Sequence, residues 1–332
     1  MKKNKLWALG LVLVFAVAIF VGCGQSGDQQ KQKEKVDFPT KAITYMIAFD
    51  PGGQSDLEAR RQQPLLEKYL GQSIIVTYKV GGGGAVGWTE LVNEKPTGYY
   101  MGGINVPHII LQPLARENAG YETEAMKAVC IFQATPIGLG VPVNSPYDSL
   151  EDFVNAGKEN PGKITIAGSG TFAGHDMAQM QLENLSGAKF EYVPFTGAAP
   201  QLQAFLGGHV QAILGNSNDL VQHQDKMKIL AIGSGERYAA LPDVPTFKEL
   251  GYDMTASIDR GVAVPADTDD EIVAILEEAF MKICLDEGVQ NQMLKEGFEP
   301  KALNAADSAR YIEEKTVEYR DLLDKYGLLA AK

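Results

Sequence analysis

From Phe38 onward, short apolar runs alternate with amphipathic stretches at strand-loop-helix spacing. Ile43 to Phe49 reads as a buried strand, Pro51-Gly52-Gly53 as a tight turn, and Leu57 to Leu70 as a helix with its N-cap predicted at Ser55 or Asp56. A strand at Ile74 to Lys79 follows, then Gly81 to Gly84 opening a helix from Ala85 to Glu94, a strand at Gly98 to Gly102, and a helix from Pro107 to Arg116. Two long apolar strands, Ala128 to Ala134 and Ile137 to Val143, interrupt this rhythm, and Thr135-Pro136 to Pro146 reads as a crossing into a second domain. That domain is expected to hold helices at Ser149 to Asn160, Ala173 to Leu185 and Ala198 to Leu206. Its strands are expected at Ile164 to Ala167, Phe190 to Val193, Val210 to Leu214 and Ile229 to Ile232. Ile258 to Val264 reads as a return strand, and three helices starting near Thr268, Glu287 and Ala305 end the chain.

The first residues break the pattern. Lys2, Lys3 and Lys5 precede an apolar run from Leu6 to Val21 that ends at Gly22-Cys23, the layout of a lipoprotein export signal; an uncleaved anchor helix is the alternative. Cys23 is thus the expected lipidation site, and the body of the protein is expected outside the cytoplasm, held at the outer face of the cytoplasmic membrane. Gly24 to Lys35 has no apolar residue and reads as a flexible tether. A length of 332 residues suits two α/β domains of ordinary size, and a net charge of −12 without Lys/Arg clusters argues against a nucleic-acid partner. Cys130 and Cys284 lie in apolar contexts and read as two buried thiols rather than a disulfide.

The helix entered through Pro51-Gly52-Gly53 is the first chemical signal. Its unpaired N–H groups and its dipole favour an anion above the loop. Gly82-x-Gly84-x-x-Gly87 matches a dinucleotide fingerprint, but the acidic residue expected about 20 positions on is missing, so no cofactor is expected. Ser169 with His175 and Asp176 invites a hydrolase reading, yet Ala167 and Thr171 stand where a nucleophile elbow needs glycine, and no catalytic residue is assigned. The four histidines show no paired ligand spacing, so no metal site is expected either.

Six motifs stand in register over nearly the whole body: Phe49-x-Pro51-Gly52-Gly53-x-Ser55-Asp56, the Gly81 to Gly87 loop, Asn160-Pro161-Gly162-Lys163, Gly168-Ser169-Gly170, Val193-Pro194-Phe195-x-Gly197 and Leu241-Pro242-Asp243-Val244-Pro245-Thr246. Together they resemble the tripartite tricarboxylate transporter solute-binding family, also called Bug proteins. The resemblance implies an α/β, periplasmic-binding-protein-like fold: two Rossmann-like domains around a cleft, joined by two crossover strands. On that reading residues 1–22 are the signal peptide, 23–36 the tether, 37–137 with 261–332 the first domain, and 138–260 the second. It further implies a monomer that closes on a small di- or tricarboxylate and delivers it to membrane permease subunits. The ligand groups carried over are Pro51, Gly52, Gly53, Gln54 and Ser55, then Ser169, Gly170 and Thr171, then Asn216, Ser217 and Asn218 in a segment that reads as a polar loop, with Asn105 beside them; the first two loops would grip a carboxylate largely through backbone N–H groups. Where the family commonly has an aromatic this chain has Asp259-Arg260, and where it has a small residue this chain has Asp50. Arg260 would add a two-pronged carboxylate contact, unless it only pairs with Asp259 or braces the hinge, whereas Asp50 would favour an amino-bearing ligand. A ligand sensor for a membrane receptor and an exported α/β hydrolase are the alternative readings.

Overall fold

A computed structural model describes residues 36–331. The expected signal peptide, the lipidation of Cys23 and almost all of the tether lie outside the described residues.

Ile43–Ile47 forms β1, and Gly53 rather than Ser55 or Asp56 starts the helix α1, Gln54–Leu70. No side chain caps it from Gly53; instead the Asp56 carboxylate reaches back to the Gly52 N–H at 2.8 Å, closing the turn from inside the first helical turn. β2 (Ile74–Tyr78) and β3 (Tyr100–Val106) flank β1 in parallel, with α2 (Ala85–Asn93) and α3 (His108–Ala115) as the connecting layer. The third strand runs later than expected, because its apolar residues are buried on both faces, Ile104 and Val106 beneath Trp88 and Ile110 and Met101 in the cluster of Tyr45 and Phe280.

The two apolar runs expected from Ala128 onward are one 17-residue strand, β4 (Met126–Pro142), which passes through Thr135-Pro136 without a break. Past it lie α4 (Leu150–Glu159), β5 (Thr165–Ser169), α5 (Gly174–Ser186), β6 (Glu191–Phe195), α6 (Ala198–Leu206), β7 (Ala212–Asn216), the short α7 (Ser217–Gln222) and β8 (Met227–Ile232). At α4, Ser149 and Asp152 form a reciprocal capping box. The segment expected as a polar loop at Asn216 to Asn218 is therefore the end of a strand and the start of a helix, the side chains being buried where the chain turns. β9 (Ser257–Pro265) returns the chain, followed by α8 (Asp270–Cys284), α9 (Glu287–Lys295), β10 (Glu299–Leu303) and α10 (Ala305–Tyr326). β10 was not expected from the pattern: Pro300 and Lys301 mask its strand character, and it pairs through a bulged register with β4.

Strand order runs β2-β1-β3-β9-β4-β7-β5-β6, with β10 and β8 also on β4. The first half of β4 pairs antiparallel with β9, from Met126 opposite Pro265 to Pro136 opposite Ser257, and its second half pairs with β7 and β8. These two long strands are the crossovers between two α/β halves. One half packs Tyr45, Leu66, Phe280 and Trp88, the other Phe153, Ile166, Leu182 and Phe247. Cys130 and Cys284 are free, buried in the first half, and turned toward each other.

Candidate functional site

The strand ends and helix starts of both halves meet along one line. Gly83 and Gly170 mark the closest approach: both have positive φ (67° and 76°), and a Cβ added at Gly170 would stand 3.1 Å from the Gly83 Cα. Beside them the Gln112 amide donates to the Thr171 and Phe172 carbonyls at 2.7 and 2.8 Å. A further pair of bonds crosses through Gln54. Its Nε2 donates to Asp219 Oδ2 at 2.5 Å, and its Oε1 accepts from Asn216 Nδ2 at 3.1 Å. Ser217, which the sequence reading placed with the ligand groups, instead turns its hydroxyl to the Gly297 carbonyl at 2.6 Å, fastening α7 to the α9–β10 turn.

On the first wall, Ser55 Oγ donates to Asn105 Oδ1 at 3.3 Å, and Asn105 stands opposite Arg260 in the β3–β9 register. Arg260 is 3 % exposed. Its Nη1 donates to Thr135 Oγ1 and, at 3.3 Å, to the Ile258 carbonyl, while its Nε has no partner. Burial pulls its pKa down to about 10, against the opposing fields of Asp219, Asp259 and Glu58. Asp259 is not its counter-ion: that carboxylate is held by Lys301 at 2.5 Å, by Tyr311 and by Ser257. A buried guanidinium without a carboxylate partner is costly, and it faces a void of about 10 Å³ that Tyr45, Ser55, Asn105, Phe132 and Arg260 share. A small anion would need the two walls to part before it could enter.

The backbone donors are more committed than the family resemblance suggests. Pro51 has no N–H; Gly52 gives its own to Asp56 and Gly53 gives its own weakly to the Asp50 carbonyl at 3.4 Å. In the second loop, Ser169 N–H goes to His175 Nδ1 at 3.0 Å and Gly170 N–H to the Phe195 carbonyl at 2.8 Å. The donors left for an anion are the first-turn N–H groups of Gln54 and Ser55, uncapped by any side chain, and that of Thr171.

Ser169 Oγ lies 2.8 Å from His175 Nδ1. Because Nδ1 accepts from the backbone, the ring proton sits on Nε2, which faces Asn216. Burial, helped by the Arg260 field, lowers the pKa of His175 to about 3, so the ring is neutral. On α7, burial raises the Asp219 carboxyl to about 6. Asp50 carries a buried Oδ2 with no hydrogen-bond partner. The sequence reading missed Asp219 and Thr135; Asp219 directly follows the Asn216 to Asn218 segment, and a helical spacing there would have flagged it.

A cavity of about 760 Å³ opens elsewhere, between the start of β4, α8 and α10, under Ala128, Ala263, Ala274, Ala309 and Ile312. Its floor is mostly apolar, and Lys127 at its edge is already paired with Asp270 at 3.0 Å, so it offers a carboxylate no unpaired cation comparable to Arg260. Among the described residues no helix is long and apolar enough to cross a membrane, and no group of three or more His, Cys, Asp or Glu could hold a metal ion.

Comparisons with known proteins point the same way. A UPF0065 protein from the gbd 5′ region of Cupriavidus necator is 28 % identical over 304 residues, covering 91 % of this chain and 92 % of its own. A solved periplasmic transporter is 27 % identical with a TM-score of 0.83, over 88 % of this chain and 99 % of its own. MatC from Rhodopseudomonas palustris, solved with bound malate, is 23 % identical with a TM-score of 0.81, over 86 % of this chain and 100 % of its own. The sequence profile of the tripartite tricarboxylate transporter family receptor, TctC, matches residues 59–328, and with a periplasmic-binding-protein-like fold around a shared polar cleft the chain belongs to that family of solute-binding receptors.

Proposed function

We propose that this protein is an extracytoplasmic solute-binding protein that captures a small carboxylate, a di- or tricarboxylate or a related metabolite, and delivers it to the permease subunits of a tripartite transporter. It does so as a monomer tethered through a lipidated Cys23. Residues 37–137 with 261–332 act as one lobe and 138–260 as the other. The observation that carries the reading is Arg260, a buried guanidinium with an unpartnered Nε and no carboxylate of the protein paired with it. Around it stand the uncapped N-terminus of α1, Ser55 and Asn105, a set that complements a carboxylate. Malate bound to a fold relative, MatC, agrees with this chemistry. Binding would part the walls, replace the Gln54 bridges, and re-close both halves on the anion, so that closure rather than chemistry is the output.

The Ser169–His175 contact does not favour a hydrolase. A ring held neutral to about pH 3 is a poor proton acceptor, and its Nε2 faces an amide where a triad would place a carboxylate. A thermal-shift screen against organic acids, followed by calorimetry, tests the proposal. Carboxylates should raise the melting temperature of the wild type, with a ligand at 100 times its Kd adding about 2.7 kcal/mol, and Arg260→Ala should abolish the rise. Carboxylates that leave both proteins unmoved would refute it.

A further inference from the structure

Between α8 and α10 the first half carries a groove that carboxylate binding leaves unused. Its floor is the start of β4 against β9, where Ala128 and Ala263 stand opposite each other in the register, and their single methyl groups leave a space of about 760 Å³ above the sheet. The walls are built the same way: Ala305, Ala309 and Ile312 recur along α10 at helical spacing and share the groove with Val273 and Ala274 of α8. A volume of this size falls in the range of small-molecule sites, roughly 300 to 1,000 Å³. Val317 at the lip is 59 % exposed, and Ala274 and Ala309 are exposed as well, so no described part of the chain covers the opening.

The charge around the opening has one sign in excess. Glu124, Asp270, Glu277 and Glu313 line it, and Lys127 is the one cation among the described lining residues. Lys127 is already committed, for its Nζ donates to the Thr268 carbonyl at 2.7 Å and pairs with Asp270 at 3.0 Å. Glu277 accepts the Ala305 N–H at 3.0 Å, which fixes the start of α10 without neutralising the carboxylate. The α10 cations Arg310 and Lys315 do not line the groove and pair with Asp307 and Glu318. An anion would therefore meet uncompensated carboxylates, while a plain hydrocarbon would fill the floor and leave the acids of the rim unanswered. We propose that this groove is a second ligand site, separate from the cleft, for an organic cation with an apolar body: an alkyl- or arylammonium whose hydrocarbon lies over Ala128 and Ala263 and whose donors face Glu124, Glu277 and Glu313.

Calorimetry at pH 7.5 and low salt with octylammonium, 1-octanol and octanoate, and with butyl- and hexylammonium, tests it. Octylammonium should bind at least tenfold more tightly than octanoate and at least threefold more tightly than octanol. From butyl to octyl the affinity should rise about fourfold per methylene, the factor for burying one CH2 group. Glu124→Gln combined with Glu313→Gln should bring octylammonium close to octanol. Ala309→Leu, which fills the groove from an exposed helical position, should weaken both at least tenfold. Melting without ligand establishes that the variants are folded; if Ala309→Leu is not, Ala274→Leu on the facing wall takes its place, and if neither is, the paired Gln variant decides. Octanol or octanoate binding as tightly as octylammonium overturns the inference, as does the absence of binding, or octylammonium binding that survives a filled groove in a folded protein. A wild type that sediments as a dimer and becomes a monomer on Ala309→Leu would give the groove to a second copy and overturn it too. None of these outcomes bears on Arg260, and succinate, titrated separately into the same proteins, decides the carboxylate reading.

Discussion

Replacing Arg260 by Met separates a binding role from a structural one, because the two predict opposite signs for stability. The guanidinium is 3 % exposed, and its pKa falls from 12.5 to about 10 on folding. For a base with a lowered folded pKa, the unfolded state holds the proton more tightly. The cost is therefore complete below pH 10 and is relieved only as pH rises from there toward 12.5. At 1.36 kcal/mol per unit, this cost is roughly 3 kcal/mol at neutral pH. Against it stand the Nη1 bonds to Thr135 and to the Ile258 carbonyl, at ~1 kcal/mol each. The Met side chain has a similar length and no charge to desolvate, so the variant should be more stable by about 1 kcal/mol, a rise of ~2–4 °C in melting temperature.

Carboxylate affinity should move the other way, by ~2 to 3 kcal/mol or more, since a charge-assisted, two-pronged contact is lost in a dry site. Differential scanning calorimetry without added ligand measures the first effect and isothermal titration the second. An Arg260→Met protein that melts several degrees below wild type would refute the reasoning, for it would make the guanidinium a brace between β9 and β4. Arg260→Lys is the control for geometry. It keeps the charge but not the planar fork, and its affinity should fall nearly as far as that of the Met variant.

Other expectations follow from the same geometry. Ser55→Ala should weaken carboxylate binding by ~1 kcal/mol with little change in melting, because no cap is lost at α1, whereas Ser169→Ala should mainly lower stability by loosening His175; calorimetry on both variants distinguishes them. His175 has a folded pKa near 3 against 6.5 unfolded, so its contribution is complete above pH 6.5 and is lost as pH falls from there toward 3. Urea midpoints of wild type and His175→Asn at pH 7 and pH 5 should show the wild type losing about 2 kcal/mol more on acidification, and equal losses would count against a buried neutral ring. Burial and the facing Cys284 raise the Cys130 thiol, so neither cysteine should react with iodoacetamide in the native protein, while both should react in urea, as mass spectrometry would record. Cys23→Ser should release the protein from membranes.

The fold was readable where one residue pattern had one physical outcome. Gly-rich turns between an apolar run and an amphipathic run force a strand-loop-helix unit, and β1–α1, β5–α5 and β7 all fall where that logic puts them. Pattern failed where two outcomes share a signal. Pro136 reads as a break, yet it lies in β4 across from Ser257 in the crossover pair, a position where a strand tolerates a missing N–H. Pro300 hid β10 for the same reason. Asn216 to Asn218 looked like a loop because polar residues usually are exposed, but here they are buried by Gln54, His175 and the Gly297 turn, which are 162, 41 and 80 positions away in the chain for Asn216 or Ser217.

The site was legible in a similar, partial way. A helix entered through Pro51-Gly52-Gly53 announces free N–H groups whatever surrounds it, so α1 could be named from residues alone. Whether Arg260 was a ligand group depended on Asp259, its neighbour in sequence. Adjacent residues on a strand point to opposite faces, so the pair that reads as an ion pair in the sequence is split by the sheet: Asp259 turns to Lys301 and Tyr311, and Arg260 to the cleft. The two-residue period of the strand thus decides the charge of the site. One acid is removed to the far face of β9, and a buried guanidinium without a carboxylate partner is left on the face it shares with Ser55 and Asn105.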